Sequence, residues 1–245
     1  MIILGDIGNT ETKICIVKDN KIIKKFLIPS KGKKMRILDK HFKKFNFSKL
    51  KKLLFCSVVP STFKELKRYF KQRTKIKCFE LKELNLSSVL KIEVNYKQVG
   101  SDRLANSISV CEKNKNYIIL DFGTATTFDV LIGRNYKGGI ISPGINLSLN
   151  TLSDKASLIP KINLKKMSKV IGKDTKSAVR SGFFWGYAGL IDNIINLIKK
   201  ETKKSFDVVI TGGFSKLYKN SIKTKVKQDF DITINGLIRA SKLIK

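Results

Sequence analysis

The chain spells one pattern twice, and the duplication constrains its fold more than any other feature. IILGDIGNTETKICIV occupies 2–17 and YIILDFGTATTFDVLI occupies 117–132. Laying Asp6 on Asp121 also lays Gly8 on Gly123 and Thr12 on Thr127, each time with an apolar run before the Asp and an alternating run after the last Thr. Short β-branched runs followed by Gly predict buried strands feeding a tight hairpin rather than helices. A turn of Gly, Asn and Thr lets backbone N–H groups and hydroxyls approach a phosphate with no bulky side chain in the way. A carboxylate at the strand end can hold the metal that neutralises that phosphate. One copy would read as an ordinary hairpin with an Asp in its turn. Two copies, 115 residues apart, predict two similar domains whose hairpins face each other across a cleft.

Composition narrows the class. With 245 residues, 42% of them hydrophobic, the chain can bury a substantial core. No apolar run approaches the roughly 20 residues that span a bilayer, and MIILGDIG lacks the basic start of a secretory signal, so a soluble cytoplasmic protein with no membrane partner is expected. Cys15, Cys56, Cys78 and Cys111 are scattered without metal-ligand spacing and read as core thiols. The only histidine, His41, sits in a basic stretch away from either hairpin, which argues against a Ser-His-Asp triad. The net charge is +31. Lys-Phe interleaving at 40–52 suits a nucleic-acid contact, yet the excess is nearly all Lys, which contacts phosphates without reading bases, and a solvated surface explains it as well. No specific nucleic acid is expected. A positive field would still draw in anionic small molecules.

Taken in order, the chain predicts a return strand at 21–28, a basic helix within 31–52 with Leu38, Phe42 and Phe45 inward, and a buried strand at 53–59 stopped by Pro60. Thr62 and Glu65 make a capping-box pattern for the next helix, and 76–81 is a short strand. Gly100 and Ser101 break the chain, and Asp102 stands where a helix begins, with Leu104, Ile108 and Cys111 as its apolar stripe. Locally Asp102 reads as an N-cap. A carboxylate there is also held as the anion, able to accept a proton from a hydroxyl. A helix follows at 146–158. Another spans 174–200, with Ala178, Gly182, Gly186 and Gly189 among aromatics, a pattern that suits a close helix crossing or a subunit interface. The segment 183–190 is too apolar to leave on a surface. A strand at 206–210 runs into Thr211, Gly212 and Gly213, and a strand-turn-helix at 229–240 closes the chain. No Walker A pattern is present.

Five motifs, DIGNTETK (6–13), VGSDRLAN (99–106), DFGTATTFD (121–129), GGIISPG (138–144) and TGGFSKL (211–217), resemble in content and order those of type III pantothenate kinase. That family belongs to the superfamily of actin, sugar kinases and heat-shock chaperones. The resemblance implies an α/β fold of two similar actin-like (ribonuclease H-like) domains, 1–115 and 116–245, with an ATP cleft between them. It implies transfer of the γ-phosphate of ATP to pantothenate, giving 4'-phosphopantothenate, the first step toward coenzyme A. The implied cofactors are ATP, magnesium and a monovalent cation, potassium or ammonium; the implied assembly is a homodimer.

By the same resemblance Asp102 is the catalytic base, and Tyr96, Gly100, Ser101, Asp102, Arg103 and Thr175 hold pantothenate. Asp6, Ile7, Gly8, Asn9, Thr10, Glu11, Thr12, Lys13 and Thr124 surround the phosphates, and Gly212 and Gly213 approach the adenosine. Asp6 supports magnesium and Asp121 the monovalent cation. Lys173 and Asp174, ahead of Thr175, depart from the commonest family spelling. The alternatives are a transcriptional accessory or DNA-binding protein of the same fold, which would have no use for Asp102, Arg103 and Asp121 together, and a sugar or acetate kinase, which would lack GSDR.

Overall fold

Both halves of the chain build the same sheet. In the computed structural model, which describes residues 1–32 and 34–244, β1 (Ile2–Ile7), β2 (Glu11–Lys18) and β3 (Lys21–Pro29) form an antiparallel meander. After α1 (Lys34–Phe42), β4 (Lys52–Ser57) pairs in parallel with β1; after α2 (Pro60–Lys71), β5 (Cys78–Glu80) pairs in parallel with β4. The order is β3-β2-β1-β4-β5. A short β6 (Lys91–Ile92) and α3 (Ser101–Val110) follow. The second sheet repeats the scheme with β7 (Asn116–Phe122), β8 (Ala125–Ile132), β9 (Asn135–Pro143), β10 (Asp207–Gly212) and β11 (Val226–Gln228), in the order β11-β10-β7-β8-β9. Its helices are α4 (Ile145–Lys155), α5 (Thr175–Thr202) and α6 (Ser215–Tyr218), and α7 (Ile232–Ala240) ends the chain. β6 pairs in parallel with β9 as a sixth strand of the second sheet, and the five-strand order common to both sheets is the physical form of the duplication.

Pairing register corrects one equivalence. Ile7 faces Thr12, whereas Phe122 faces Thr126, so the second turn is one residue shorter. Thr12 therefore corresponds to Thr126, both fully buried, and not to Thr127. Side chains alternate faces along a strand, so a slip of one residue would have sent the wrong threonine inward. Beyond the turn the offset is 114 residues: β3 and β9 each span nine and end on Pro29 and Pro143.

Each sheet buries its own core. In the first unit Ile3, Ile14, Phe55, Leu66 and Phe70 pack with an aromatic group built on Phe42, Phe45, Phe47 and Tyr69. In the second, Ile118, Leu120, Phe128 and Ile210 pack against Phe184, Ala188, Ile191 and Ile195 of α5, with Tyr218 stacked between Phe122 and Phe184. Each cysteine is a buried free thiol, and His41 stacks on Phe26 with ring centroids 3.9 Å apart. Among the described residues no helix is long and apolar enough to cross a membrane.

Local expectations fail where long-range partners claim the side chains. The helix expected within 31–52 is confined to α1 and a single 3-10 turn, Phe47–Lys49; Lys33, inside that span, lies outside the described residues, as does Lys245. Thr62 and Glu65 form no capping box, because Pro60 occupies the first helical position and Val59 the cap. Thr62 instead donates to Ser30 O at 2.8 Å, and Glu65 pairs at 3.0 Å with the buried Lys34 ammonium. The strand at 53–59 stops at Ser57, and the closing strand is β11, upstream of 229.

The chain forms two compact units. The first comprises Met1–Cys111, Arg134–Tyr136 and the C-terminal segment from Asp231; the second comprises Glu112–Gly133 and Lys137–Phe230. The division near 111 falls close to the expected 115/116, but α7 counts with the first unit because it lies against α3. Thr233 Oγ1 donates to Asn106 Oδ1 at 2.8 Å, and Arg239 donates to the carbonyls of Ser109 and Cys111 at 2.7 and 2.9 Å. The latter two bonds satisfy acceptors that the end of α3 leaves without intrahelical partners.

Candidate active site

In the first unit three parallel strands end together, and each delivers a polar group: Asp6 from β1, Ser57 from β4 and Glu80 from β5. The carboxyl ends of parallel strands are where open α/β sheets place ligands. Asp6 sits across from Lys13 on β2 and beside Cys56 on β4, whose Sγ lies 3.5 Å from Asp6 Oδ1. Burial, then the negative charge of Asp102, push the Asp6 carboxyl up to about 6, while Lys13 and the Cys56 contact oppose the rise. Burial and the neighbouring carboxylates likewise push the Cys56 thiol well above its usual range, so it is a neutral packing group rather than a nucleophile.

The β1–β2 turn closes with the Gly8 amide donating to Glu11 O at 3.1 Å. Asn9, Thr10 and Glu11 are exposed, and Gly8 and Lys13 are half-buried. Ile7 and Thr12 are buried, and the Thr12 hydroxyl is engaged with Ser30 Oγ at 2.9 Å. Only the backbone of these last two is left to face a phosphate.

Asp102 is not the cap of α3. That position is taken by Gly100, without a side-chain bond, so Asp102 stands second in the helix. Its Oδ1 accepts the Arg103 amide at 2.8 Å. Burial raises its carboxyl above the ordinary range, and the Arg103 amide and guanidinium partly offset this. The helix terminus therefore tempers a burial effect larger than itself. Tyr96 donates its hydroxyl to Lys82 O at 3.1 Å, under the Lys82 ammonium 5.0 Å from the ring. Asp6, Tyr96 and Gly100 to Arg103 thus all fall within the first unit, with Asp102 near enough to raise Asp6.

The second unit repeats the hairpin with a tighter turn, in which the Gly123 amide donates to Ala125 O at 3.0 Å. Asp121 is half-buried, across from Thr127 and beside Thr211. Gly144 supports the turn from below: a Cβ there would lie 2.1 Å from Thr124 O and 2.7 Å from Gly123 O. Gly212 has φ +85°, a conformation that favours glycine, and a Cβ on it would come within 2.7 Å of Asp121 Oδ1. The Gly213 amide donates to Phe122 O at 3.1 Å. Asp121, Thr124, Gly212 and Gly213 accordingly converge on one turn. Thr175 is exposed at the first position of α5, whose cap is Asp174 in a reciprocal pair with Ser177.

Glu80 was not legible in the sequence. Its Oε1 accepts the Ser101 hydroxyl and the Ser57 amide, the latter at 3.3 Å, and its Oε2 accepts the Lys82 amide at 2.6 Å. The usable signal was a carboxylate at the end of a short strand, the same placement that marked Asp6.

Comparison with known proteins identifies the family. The family model for type III pantothenate kinase matches residues 2–197. A curated type III pantothenate kinase from Pelagibacter ubique is 63% identical over 248 residues, covering all of both chains. Among solved structures, a Baf family transcriptional activator from Campylobacter jejuni has TM-score 0.63 at 19% identity, covering 98% of this chain and 97% of its own. A 2-dehydro-3-deoxygalactonokinase protein from Sinorhizobium meliloti has TM-score 0.62 at 10% identity, covering 100% and 99%. At such low identity these two speak to the fold, which is that of the actin-like ATPases and sugar kinases. The chain belongs to the type III pantothenate kinase family.

Proposed function

We propose that this chain transfers the γ-phosphoryl group of ATP to pantothenate with Asp102 as the base at the acceptor hydroxyl. As a type III pantothenate kinase it phosphorylates pantothenate in coenzyme A biosynthesis, using ATP and a divalent metal. The observation that supports the residue assignment is the placement of Asp6 at the carboxyl end of the parallel strands β1 and β4 and of Asp102 in the first turn of α3, which Glu80 ties to β4 through the Ser57 amide and the Ser101 hydroxyl. The DNA-binding reading is not favoured, since the curated relative matched over its full length is a kinase.

Phosphoryl transfer needs positioning and charge neutralisation more than covalent chemistry from the protein. Asp102, in the first turn of α3, accepts the hydroxyl proton as the oxygen attacks phosphorus. Within the first unit, Tyr96, Gly100, Ser101 and Arg103 orient pantothenate, with the Arg103 guanidinium facing its carboxylate. In the first unit the backbone and exposed side chains from Gly8 to Lys13 face a phosphate; in the second, Thr124 is the matching phosphate contact of its hairpin and Gly212 and Gly213 approach the adenosine. Among the described residues no group of three or more His, Cys, Asp or Glu side chains could hold a metal, so magnesium would be held by the Asp6 carboxylate at the end of β1 together with phosphate oxygens and water, the usual manner for this ion. When bound, it neutralises phosphate charge. A coupled ADP-release assay with pantothenate against a panel of sugars tests the reading; turnover with a sugar and none with pantothenate would defeat it.

Asp121 is read as the ligand of a monovalent cation at the second hairpin, supported by its half-buried carboxylate at the end of β7, against the close-packed backbone of Gly212. Potassium or ammonium should then stimulate turnover, and Asp121→Ala should abolish the difference between potassium and sodium. Equal wild-type rates in the two salts would remove this role.

A homodimer through α5 is the third part of the reading. Phe184 and Ala188 are consumed by the chain's own core, and Phe183, Tyr187 and Leu190 are partly buried against it, so bulk apolarity at 183–190 is a weaker argument than the sequence made it. What α5 leaves outward is Gly182, Gly186 and Gly189, with nothing within 4 Å of their would-be Cβ positions, beside Trp185 at 37% exposure. A flat glycine strip allows a second helix to approach closely. Gly186→Arg should convert a dimeric mass by light scattering to a monomeric one while the chain stays folded, with a Tm that no longer depends on protein concentration; a wild type that is monomeric at micromolar concentration would end the proposal. The enzyme is expected to act in the cytoplasm, where its nucleotide substrate is made and used.

A further inference from the structure

The segment read as the pantothenate site, 96–103, is built on one short turn, and neither the repeat nor the motifs pointed to it. That turn follows β5, where the 3-10 helix Leu81–Glu83 is capped by the Glu80 carboxylate through the Lys82 amide. From this turn four hydrogen bonds and one ring contact reach the segment. Glu80 Oε1 takes the Ser101 hydroxyl. The Lys82 ammonium donates to Lys97 O and Val99 O, each at 3.1 Å, and Lys82 O accepts the Tyr96 hydroxyl at 3.1 Å. The same ammonium lies over the Tyr96 ring. Gly100, the cap of α3, has no side chain to close the helix. The start of α3, where Asp102 sits, is therefore held by Glu80 through Ser101 and not by a cap of its own.

We infer that Glu80 and Lys82 are positioning residues for the phosphoryl acceptor: Glu80 fixes the first turn of α3, and with it Asp102, while Lys82 fixes the loop that presents Tyr96. The inference rests on the reading of 96–103 as the pantothenate segment. Glu80 is bound from three directions, by β4 through the Ser57 amide, by its own turn and by α3, so both its oxygens are engaged as acceptors. Glutamine cannot reproduce this. Whichever way its amide is turned, an N–H group meets either the Lys82 amide or the Ser57 amide, and donor faces donor. Lys82 spends its charge on two backbone carbonyls of this segment, and about an ångström of slack there is enough to misalign an attacking oxygen.

The test is steady-state kinetics of Glu80→Gln, Lys82→Met and Lys82→Arg in the full chain, with pantothenate and ATP varied separately, beside Tm. Glu80→Gln and Lys82→Met should each lower kcat/KM for pantothenate by about tenfold, leave KM for ATP within about twofold, and move Tm little. Lys82→Arg, which keeps the donors, should recover most of the loss. Ser101→Ala should lower kcat/KM for pantothenate in the same direction, and the double variant should lose less than the two single losses combined, as expected for partners in one contact. Wild-type kcat/KM for pantothenate in both variants overturns the inference, as does a lowered Tm with pantothenate and ATP affected alike. Asp102→Asn in the same series keeps the two claims apart. An inactive Asp102→Asn beside unchanged Glu80→Gln and Lys82→Met defeats the positioning role alone, whereas a fully active Asp102→Asn defeats the reading of the segment on which it rests.

Discussion

Asp102→Asn is expected to lower kcat by roughly two to four orders of magnitude, the usual worth of a positioned general base, with KM for ATP near the wild-type value. Asn keeps the volume and can still accept the Arg103 amide through Oδ1, so the start of α3 is preserved while the proton acceptor is lost. The stability effect has a definite sign. Burial raises the Asp102 carboxyl in the folded chain, so ionisation is disfavoured there relative to the unfolded state. Such a group stabilises least when ionised: its contribution is fully present below the unfolded pKa and is lost as pH rises through the folded one. At pH 7 the anion is a cost, also borne by Asp6, whose carboxyl Asp102 pushes up. The Asn variant should therefore melt at the same temperature as wild type or a few degrees above it. Loss of turnover with a maintained or raised Tm is the signature of a group kept for chemistry at the expense of stability. A purely structural Asp102 predicts the reverse: near-normal kcat for Asn, and for Ala a loss of about 1 kcal/mol from the first turn. Measuring kcat, KM for ATP and Tm on Asn and Ala variants together decides between them.

The residues that the sequence made legible are those whose chemistry is local. Asp6 and Asp121 each end an apolar strand and precede a glycine, and the structure puts both at a strand end, in matching sheets. Asp102 announces itself by standing between a Gly-Ser break and an apolar helix stripe, although its exact place, second in the helix after a glycine cap, depends on backbone geometry the spelling does not carry. What stayed hidden depends on partners far along the chain. Thr62 and Glu65 match a capping box in four letters, but Ser30 and Lys34, some thirty residues upstream, take both side chains. The equivalence of Thr12 with Thr126 is masked because Thr126 and Thr127 are alike in sequence and only pairing register separates them. Glu80 carries no motif at all; its role arises where β4, β5 and α3 meet. The same holds for α7, which reads as the end of the second half and packs with the first because its partner, α3, lies more than a hundred residues earlier.

That packing makes Gly236 the most demanding position in the helices. A Cβ at 236 would stand 1.8 Å from Ala105 O and 2.6 Å from its carbonyl carbon, well inside contact and against backbone that cannot rotate away. Intrinsic propensity alone says Gly236→Ala should stabilise α7 by about 0.5–1 kcal/mol. The packing term is opposite and larger. To admit the methyl group α7 must move off α3 by an ångström or more, which strains the Thr233–Asn106 bond and the Arg239 bonds that close the end of α3. Overpacking of this kind costs typically 1–3 kcal/mol and occasionally more, and the weakened buried bonds add to it. A net loss of about 3 kcal/mol is expected, roughly 6–12 °C in Tm for a chain of this size. Activity should fall as well, because Ala105 lies one turn from Asp102 on the same helix. Gly186→Ala on α5, with open space at its Cβ, is the matched control, since there propensity acts without a collision. If Gly236→Ala were to raise Tm as Gly186→Ala should in the isolated protomer, α7 would not be held against α3 as closely as the structure has it, and the C-terminal helix would lose its claim to support the catalytic one.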